Sequence, residues 1–358
     1  MPEIGNWPVL CGERAGQATF ALSSALDLVD PARLDAWSSR RYRGGTVSAD
    51  EPGSDPRQGR HSHRFGGTWT ERKLEVLAGY LRSYTTALKN KPTLEKPFRK
   101  GFIDAFAGTG YRDARREDDD RRQEQLAFPD LAGDEPQELL DGSARIALRI
   151  EPPFDTYIFI ERDPVRCGEL EKLRIAFPER QDIRILQGDA NDVIRGLCDK
   201  DWSSHRAVLF LDPYGMQVEW TTIEAVAHTR AIDLWVLFPL GIGVNRLLTR
   251  SGDIPPSWRL RLDRLLGTED WYDEFYEVET SPTLFGDDQD RVVKASTQTF
   301  GRYFNDRLRA LFAGVAEEPG VLRNSVNNPL YLLCFAAASE RGAPTALRIA
   351  NHLLRELR

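Results

Sequence analysis

The segment FIDAFAGTG, residues 102–110, carries the strongest structural signal in this chain of 358 residues. Its apolar run predicts a buried strand, and the two glycines that follow predict a turn. Asp104 is the one charged residue in the run. Because an unpaired buried carboxylate is costly, we expect a ligand or a cluster of backbone amides beside it. Gly108 and Gly110 allow the backbone to turn sharply and to approach a ligand closely.

Short apolar segments alternate with helical patterns downstream of this run. Strands are predicted over residues 157–161, 183–187, 207–212 and 232–238, with helices around 166–177, 190–197 and 221–228. Continuously apolar strands that alternate with helices indicate a parallel sheet covered on both faces. The sequence therefore predicts a doubly wound, Rossmann-like α/β fold with a mainly parallel seven-stranded sheet. Ligands of such sheets bind at the carboxyl ends of the strands.

The pattern also divides the chain into segments. We predict an N-terminal arm over 1–65, a core over 66–240 with a charged insertion at 111–140, a helical addition over 241–325, and a closing strand and helix over 326–358. The core should begin with a helix from Glu71 towards Leu88. In the last third, the expected elements are helices over 241–266, 292–312 and 346–357, a sixth strand over 271–278 and a last strand over 330–336.

Four successive strands end in polar residues, and this order is typical of S-adenosylmethionine-dependent methyltransferases. Asp104 would accept from the ammonium group of the cofactor, directly or through water. Glu161 would accept from the ribose hydroxyls and Asp189 from the adenine amino group, while Arg162 or Ile160 would flank the adenine. A helix cap is the alternative role for a lone acid such as Asp189. A dinucleotide is the rival ligand, although the loop lacks the third glycine of that motif. The predicted cofactor-binding residues are Asp104, Phe106, Ala107, Gly108, Gly110, Glu161, Arg162, Asp189 and Ala190.

The candidate chemical centre is DPYG, residues 212–215. It resembles the Asp-Pro-Pro-Tyr signature of enzymes that methylate exocyclic amino nitrogens of nucleic-acid bases, with one proline missing. The resemblance implies that Asp212 accepts a hydrogen from the amino group and that Tyr214 stacks on a flipped base. Pro213 restricts Asp212 to an extended conformation. A strand-to-helix turn without chemistry is the alternative interpretation.

Basic and aromatic residues near the predicted site suggest contacts with substrate. Trp69, Lys73 and a basic turn over residues 89–100 precede the first strand, and Arg246 and further arginines follow the fifth. We expect both groups to border one edge of the sheet and to contact phosphates. A solvated, charged helix face explains them equally well.

Taken together, the motifs resemble the bacterial three-Cys-motif partner proteins over residues 61–240. This resemblance implies a methyltransferase-like fold and a partner protein that carries three cysteines. An interaction protein of this fold and a methyltransferase of proteins or small molecules are the alternatives to nucleic-acid methylation. The matching segments are FGGTWT (65–70), KL (73–74), FIDAFAG (102–108), GS (142–143), AL (147–148), FIE (159–161), GDAN (188–191) and FLDPYG (210–215).

The composition restricts which classes of protein and which kinds of site are compatible with this chain. The net charge of -7 and a pI of about 5.5 argue against bulk attraction to nucleic acid, but not against a local basic patch. No apolar run is long enough to predict a membrane span. The four cysteines are far apart, which predicts no metal site and favours free thiols in a reducing cytoplasm.

Overall fold

The structure is a computed structural model that describes residues 68–92, 97–107, 142–282 and 288–357. Predictions for the N-terminal arm, for Gly108 and Gly110, and for the insertion at 111–140 lie outside these residues.

A mixed sheet of eight strands forms the centre of the described part, in the order β3-β2-β1-β4-β5-β10-β8, with β9 also pairing with β10. Strands β1 to β5 are parallel, and β10 is antiparallel to β5. This arrangement confirms the predicted doubly wound fold, and the short β8 and β9 bring the count to eight. The strands of this sheet are β1 Arg99–Asp104, β2 Thr156–Glu161, β3 Ile183–Gln187, β4 His205–Leu211, β5 Ile232–Phe238, β8 Gly314–Val315, β9 Gly320–Arg323 and β10 Pro329–Ala337.

Helices cover both faces of the sheet. One face carries α1, α2, α3 and α10, and the other carries α4, α5, α7 and α9, each over its own apolar core. Side chains alternate between the cores along each strand, so that Phe102 faces one and Ile103 the other. The helices are α1 Thr68–Ala87, α2 Ser143–Leu148, α3 Pro164–Ala176, α4 Ala190–Cys198, α5 Trp220–His228, α6 Asn245–Leu247, α7 Pro256–Leu266, α8 Trp271–Phe275, α9 Thr297–Leu311 and α10 Ala343–Arg355.

Helix α1 crosses its face of the sheet from the carboxyl edge to the amino edge. Leu77, Tyr80 and Leu81 are almost fully buried and hold it on the sheet. The Tyr80 hydroxyl donates to Asp233 Oδ2 at 2.9 Å, near the beginning of β5. The first turns of α1 therefore lie near the carboxyl ends of the strands.

The last third differs from the prediction in three places. Residues 271–278 divide into α8 and the start of β6 (Tyr276–Pro282), which pairs with β7 (Asp288–Lys294) in a separate hairpin instead of joining the central sheet. The expected helix over 292–312 begins later, because Ser296 caps α9 and the residues before it belong to β7. The helix over 241–266 is interrupted, because Pro255 and Pro256 start a new helix.

Candidate active site at the carboxyl edge of the sheet

Strands β2 and β3 lie on one side of β1, and β4 and β5 lie on its other side. The point between β1 and β4, where the strand order reverses, is where doubly wound folds bind ligands. Asp104 ends β1, and Asp212 follows the last residue of β4. The strand register places Asp104 beside Phe210, so Asp212 lies two residues further along the neighbouring strand, on the same face. The structure thus brings together two acids that the sequence assigned to cofactor and substrate.

Asp104 is completely buried. Its carboxylate accepts hydrogen bonds from the Ser143 hydroxyl at the start of α2 and from the Phe106 amide at 3.4 Å. Burial and, to a smaller extent, the charge of Asp212 raise the pKa of Asp104 to about 7, although the two hydrogen bonds and the Lys73 ammonium lower it. Two neutral donors offset little of the cost of a buried negative charge, so this carboxylate is suited to receive a cation.

Lys73 forms an ion pair with Asp212 and is only 5% exposed. Its ammonium lies 5.2 Å from the ring centroid of Trp69, one turn earlier on α1. A lysine on the buried face of an amphipathic helix is costly unless it has a partner, and here Asp212 is that partner. Two residues predicted to contact substrate, Trp69 and Lys73, thus lie beside the predicted catalytic acid.

Tyr331 completes this cluster and was missed by sequence reasoning. Its ring stacks on that of Trp69, with centroids 5.3 Å apart and an angle of 30° between the planes. Because β10 is antiparallel to β5, the beginning of β10 lies at the carboxyl edge. No local pattern around Tyr331 indicates this position, since it depends on how β10 joins the sheet.

The DPYG turn is stabilised by the conformation of its glycine and by hydrogen bonds to the residues that follow it. Gly215 has a φ of 72°, a conformation that favours glycine. After the turn, the buried Asn191 side chain donates to the Gln217 carbonyl at 2.9 Å and accepts from the Glu219 amide at 3.0 Å. Pro213 is buried and Tyr214 partly buried. Asn191 belongs to the GDAN segment after β3, so its hydrogen bonds connect that segment directly with the segment that follows β4.

Glu161 ends β2 and is 9% exposed. Its Oε1 accepts from the Asp163 amide at 2.9 Å, and Oε2 lies 3.8 Å from Arg166 Nη1. Asp163 itself caps α3 by accepting from two backbone amides. Glu161 lies at the strand end as predicted, but its contact with a ribose stays a prediction. Arg162 beside it is exposed.

Asp189 is the N-cap of α4. Its Oδ1 accepts from the Asn191 amide at 2.9 Å and from the Asp192 amide at 3.4 Å. The capping alternative therefore describes what Asp189 does in this structure, and its contact with adenine stays a prediction. Ala190 is buried in the first turn of α4, and near β1 Phe106 is partly buried and Ala107 buried.

The basic residues do not share one edge as expected. Arg99 and Lys100 begin β1, so they lie at the amino edge, about 17 Å and about 13 Å from Asp104 at about 3.3 Å per residue. The guanidinium of Arg259 lies 5.6 Å from the ring centroid of Trp271, which gives it a packing role. Arg246, in α6 beyond the carboxyl end of β5, remains at the predicted edge.

Within the described ranges, no group of three or more His, Cys, Asp or Glu side chains could hold a metal ion. No helix in these ranges is long and apolar enough to cross a membrane.

No protein-family model matches this chain, and no curated protein matches it in sequence. Among solved structures, it is similar to protein LPL1258 of Legionella pneumophila, with 10% identity, a TM-score of 0.37, and coverage of 82% of this chain and 94% of that one. It is similar to Escherichia coli yhhF, described as a methyltransferase, with 13% identity, a TM-score of 0.26, and coverage of 70% and 90%. A dimethyladenosine transferase from Plasmodium falciparum has 15% identity, a TM-score of 0.25, and coverage of 62% and 63%. Matches this distant assign no function, and the three-Cys-motif resemblance stays a prediction.

Proposed function

We propose that this protein is an S-adenosylmethionine-dependent methyltransferase that acts on an exocyclic amino nitrogen of a nucleic-acid base. The observation that carries the proposal is the pair of acids at the switch point. Among the described residues, Asp104 is bonded by the Ser143 hydroxyl and the Phe106 amide and by no cation, and Asp212 lies beside it on the next strand. One acid is suited to an ammonium group of a cofactor, and the other to the amino group of an acceptor.

The described residues fit the cofactor at two points. Asp104 offers a buried carboxylate at the end of β1, where the ammonium of the methionine part would supply a positive charge. Glu161 offers a carboxylate at the end of the neighbouring strand for the ribose hydroxyls. When bound, S-adenosylmethionine supplies a methyl group on a positively charged sulfur.

Asp212 orients the acceptor in this proposal. The Lys73 ammonium bonds to Oδ2, which leaves Oδ1 to accept a hydrogen from the amino group and so direct the nitrogen lone pair at the methyl group. The buried Lys73 thereby holds one oxygen of this carboxylate in place. Trp69 and Tyr331 add a flat aromatic surface at the same edge, in addition to the predicted stacking by Tyr214.

A second acceptor class is favoured by one observation. The ammonium of Lys73 already lies between the Trp69 ring and the Asp212 carboxylate, so the same surroundings would suit an alkylamine of a protein or small molecule. Nucleic-acid bases and alkylamines can be distinguished as acceptors, because the transferred methyl group would be found in nucleic acid in the first case and in protein or small amines in the second.

The test is methyl transfer from S-adenosylmethionine labelled in the methyl group. RNA, DNA, protein and small amines from a bacterial extract are separated after incubation with the unmutated chain or with Asp212→Asn. We expect label in nucleic acid, lost with Asp212→Asn while cofactor binding measured by calorimetry persists. Label confined to protein or amines would favour the second class. Cofactor binding without any transfer would favour the interaction protein with a three-Cys partner.

A further inference from the structure

A second cleft lies at the amino edge of the sheet, away from the candidate active site. Its volume is about 410 Å³, within the usual range of ligand pockets. Arg206, in this cleft, is six residues before Asp212, or about 20 Å along β4. The ends of α4 and α5 and the turn before β4 contribute the lining, which includes Lys200, Trp202, Ser203, Arg206, Thr229 and Arg230.

Three cations, Lys200, Arg206 and Arg230, line this cleft together with one carboxylate, that of Asp201. Lys200, Arg206 and Arg230 form no ion pair with any residue in the described part of the chain. The acid in the lining, Asp201, accepts instead from the Ser203 amide at 2.8 Å and from its hydroxyl at 2.9 Å. The lining therefore holds more cationic than anionic side chains, although the protein as a whole is acidic. The Arg206 guanidinium also donates to the Trp202 and His205 carbonyls, which fixes its position in the cleft.

Arg230 is also held in an unfavourable backbone conformation. Its φ of 50° lies in the left-handed region, directly after the C-cap of α5, where glycine is the preferred residue. An arginine at this position costs stability that a glycine would not. Attraction to the carbonyl end of a helix explains one cation at each helix end, but not three cations that line one cleft.

The charges and the neighbouring groups indicate the ligand. The side chains of the lining carry three positive charges and the one negative charge of Asp201. The carbonyl ends of α4 and α5, Asp199 at the C-cap of α4 and the buried Asp233 near Arg206 oppose part of this excess. Trp202 adds a partly buried aromatic ring, fixed by its Nε1 bond to the Leu197 carbonyl at 3.0 Å. Ser203 and Thr229 add hydroxyl groups.

We propose that this cleft binds a nucleotide unit, with its phosphate on Lys200, Arg206 and Arg230 and its base against Trp202. Phosphate contacts by lysine and arginine, together with stacking on an aromatic ring, are how proteins hold single-stranded nucleic acid and its nucleotides. The nucleotide is free or belongs to a strand; both present the same phosphate and base. The cleft is independent of the cofactor site, so the proposal does not require methyl transfer.

The experiment uses the full chain and two probes, AMP followed by calorimetry and a fluorescein-labelled single-stranded RNA of 12 nucleotides followed by anisotropy. Arg230→Gly and Lys200→Gln are compared with Asn327→Gly, which places glycine at another position with positive φ, outside the cleft. Each cleft variant should weaken binding about tenfold, as expected for a lost charge-assisted hydrogen bond. Asn327→Gly should bind like the unmutated chain.

Thermal unfolding supplies the second measurement. Arg230→Gly should unfold at the same or a higher temperature than the unmutated chain, so that weakened binding does not reflect a damaged fold. Binding of AMP identifies a free nucleotide, and binding of the RNA alone identifies a strand; each supports the proposal if the cleft variants weaken it. Failure of both probes to bind, or binding unchanged by Arg230→Gly and Lys200→Gln, overturns it. Calorimetry with S-adenosylmethionine tests the proposed function separately.

Discussion

Replacing Asp104 by asparagine should stabilise the protein above pH 7 while it removes cofactor binding. The carboxylate is completely buried, and the donors bonded to it, Ser143 and the Phe106 amide, are neutral. Asparagine keeps an oxygen for these donors and has no charge to bury. The variant therefore separates what the fold requires at this position from what a ligand requires.

The magnitude follows from the pKa. Burial raises the pKa of Asp104 to about 7 from an ordinary value of 3.8. The folded state thus binds the proton more tightly than the unfolded chain, and the stability of the unmutated protein falls as pH rises from about 4 to about 7. At 1.36 kcal/mol per pKa unit, the loss is at most about 4 kcal/mol above pH 7. Asparagine does not titrate, so its advantage should be small near pH 4 and about 2–4 kcal/mol at pH 8.

Urea unfolding at pH 5 and pH 8 measures this difference. The buried Asp233 also has a raised pKa, but it is present in both proteins and cancels in the comparison. Asp306→Asn, which removes an exposed carboxylate paired with Arg309, is the control and should show no comparable gain. If Asp104→Asn is less stable than the unmutated protein at pH 8, the carboxylate stabilises the fold and the reasoning is refuted.

Three further changes test other parts of the structure. Lys73→Met should raise the pKa of Asp104, because the Lys73 ammonium lowers it in the unmutated chain. The pH midpoint of cofactor binding should then shift upwards, as calorimetry between pH 6 and 9 will measure. Tyr80→Phe removes a bond to buried Asp233 and should cost about 1–3 kcal/mol. Urea unfolding should show a larger cost at pH 8 than at pH 5, because burial raises the pKa of this acid to about 6. Gly241→Ala would place a Cβ 2.0 Å from the Pro329 carbonyl oxygen and should lower the thermal unfolding temperature, whereas Gly196→Ala, with nothing within 4 Å, should not.

The parallel half of the sheet could be predicted because its strands are continuously apolar and each is followed by a helix. The segment 271–278 could not be assigned in this way. Its aromatic residues, Trp271, Phe275 and Tyr276, suit a buried helix turn as well as a strand, and only the pairing of β6 with β7 distinguishes the two. The hairpin is therefore a consequence of tertiary pairing.

In the candidate site, too, some features could be predicted from the sequence and others depend on tertiary contacts. The acids at the strand ends could be placed together because parallel strands share their carboxyl edge. The bond between Lys73 and Asp212 joins residues 139 positions apart, and no sequence spacing predicts it. A lysine within the apolar stripe of α1 was the available signal. The basic turn before β1 was misplaced because residues at the start of a strand lie at the opposite edge from those at its end.

The most direct test of the account is a calorimetric titration of the unmutated chain with S-adenosylmethionine, beside Asp104→Asn and Glu161→Gln. Asp306→Asn, which replaces an exposed acid of α9, is the matched control. The account predicts micromolar binding by the unmutated chain and the control, weakened at least about tenfold in both site variants. No binding by the unmutated chain, or binding that both site variants retain, would contradict it.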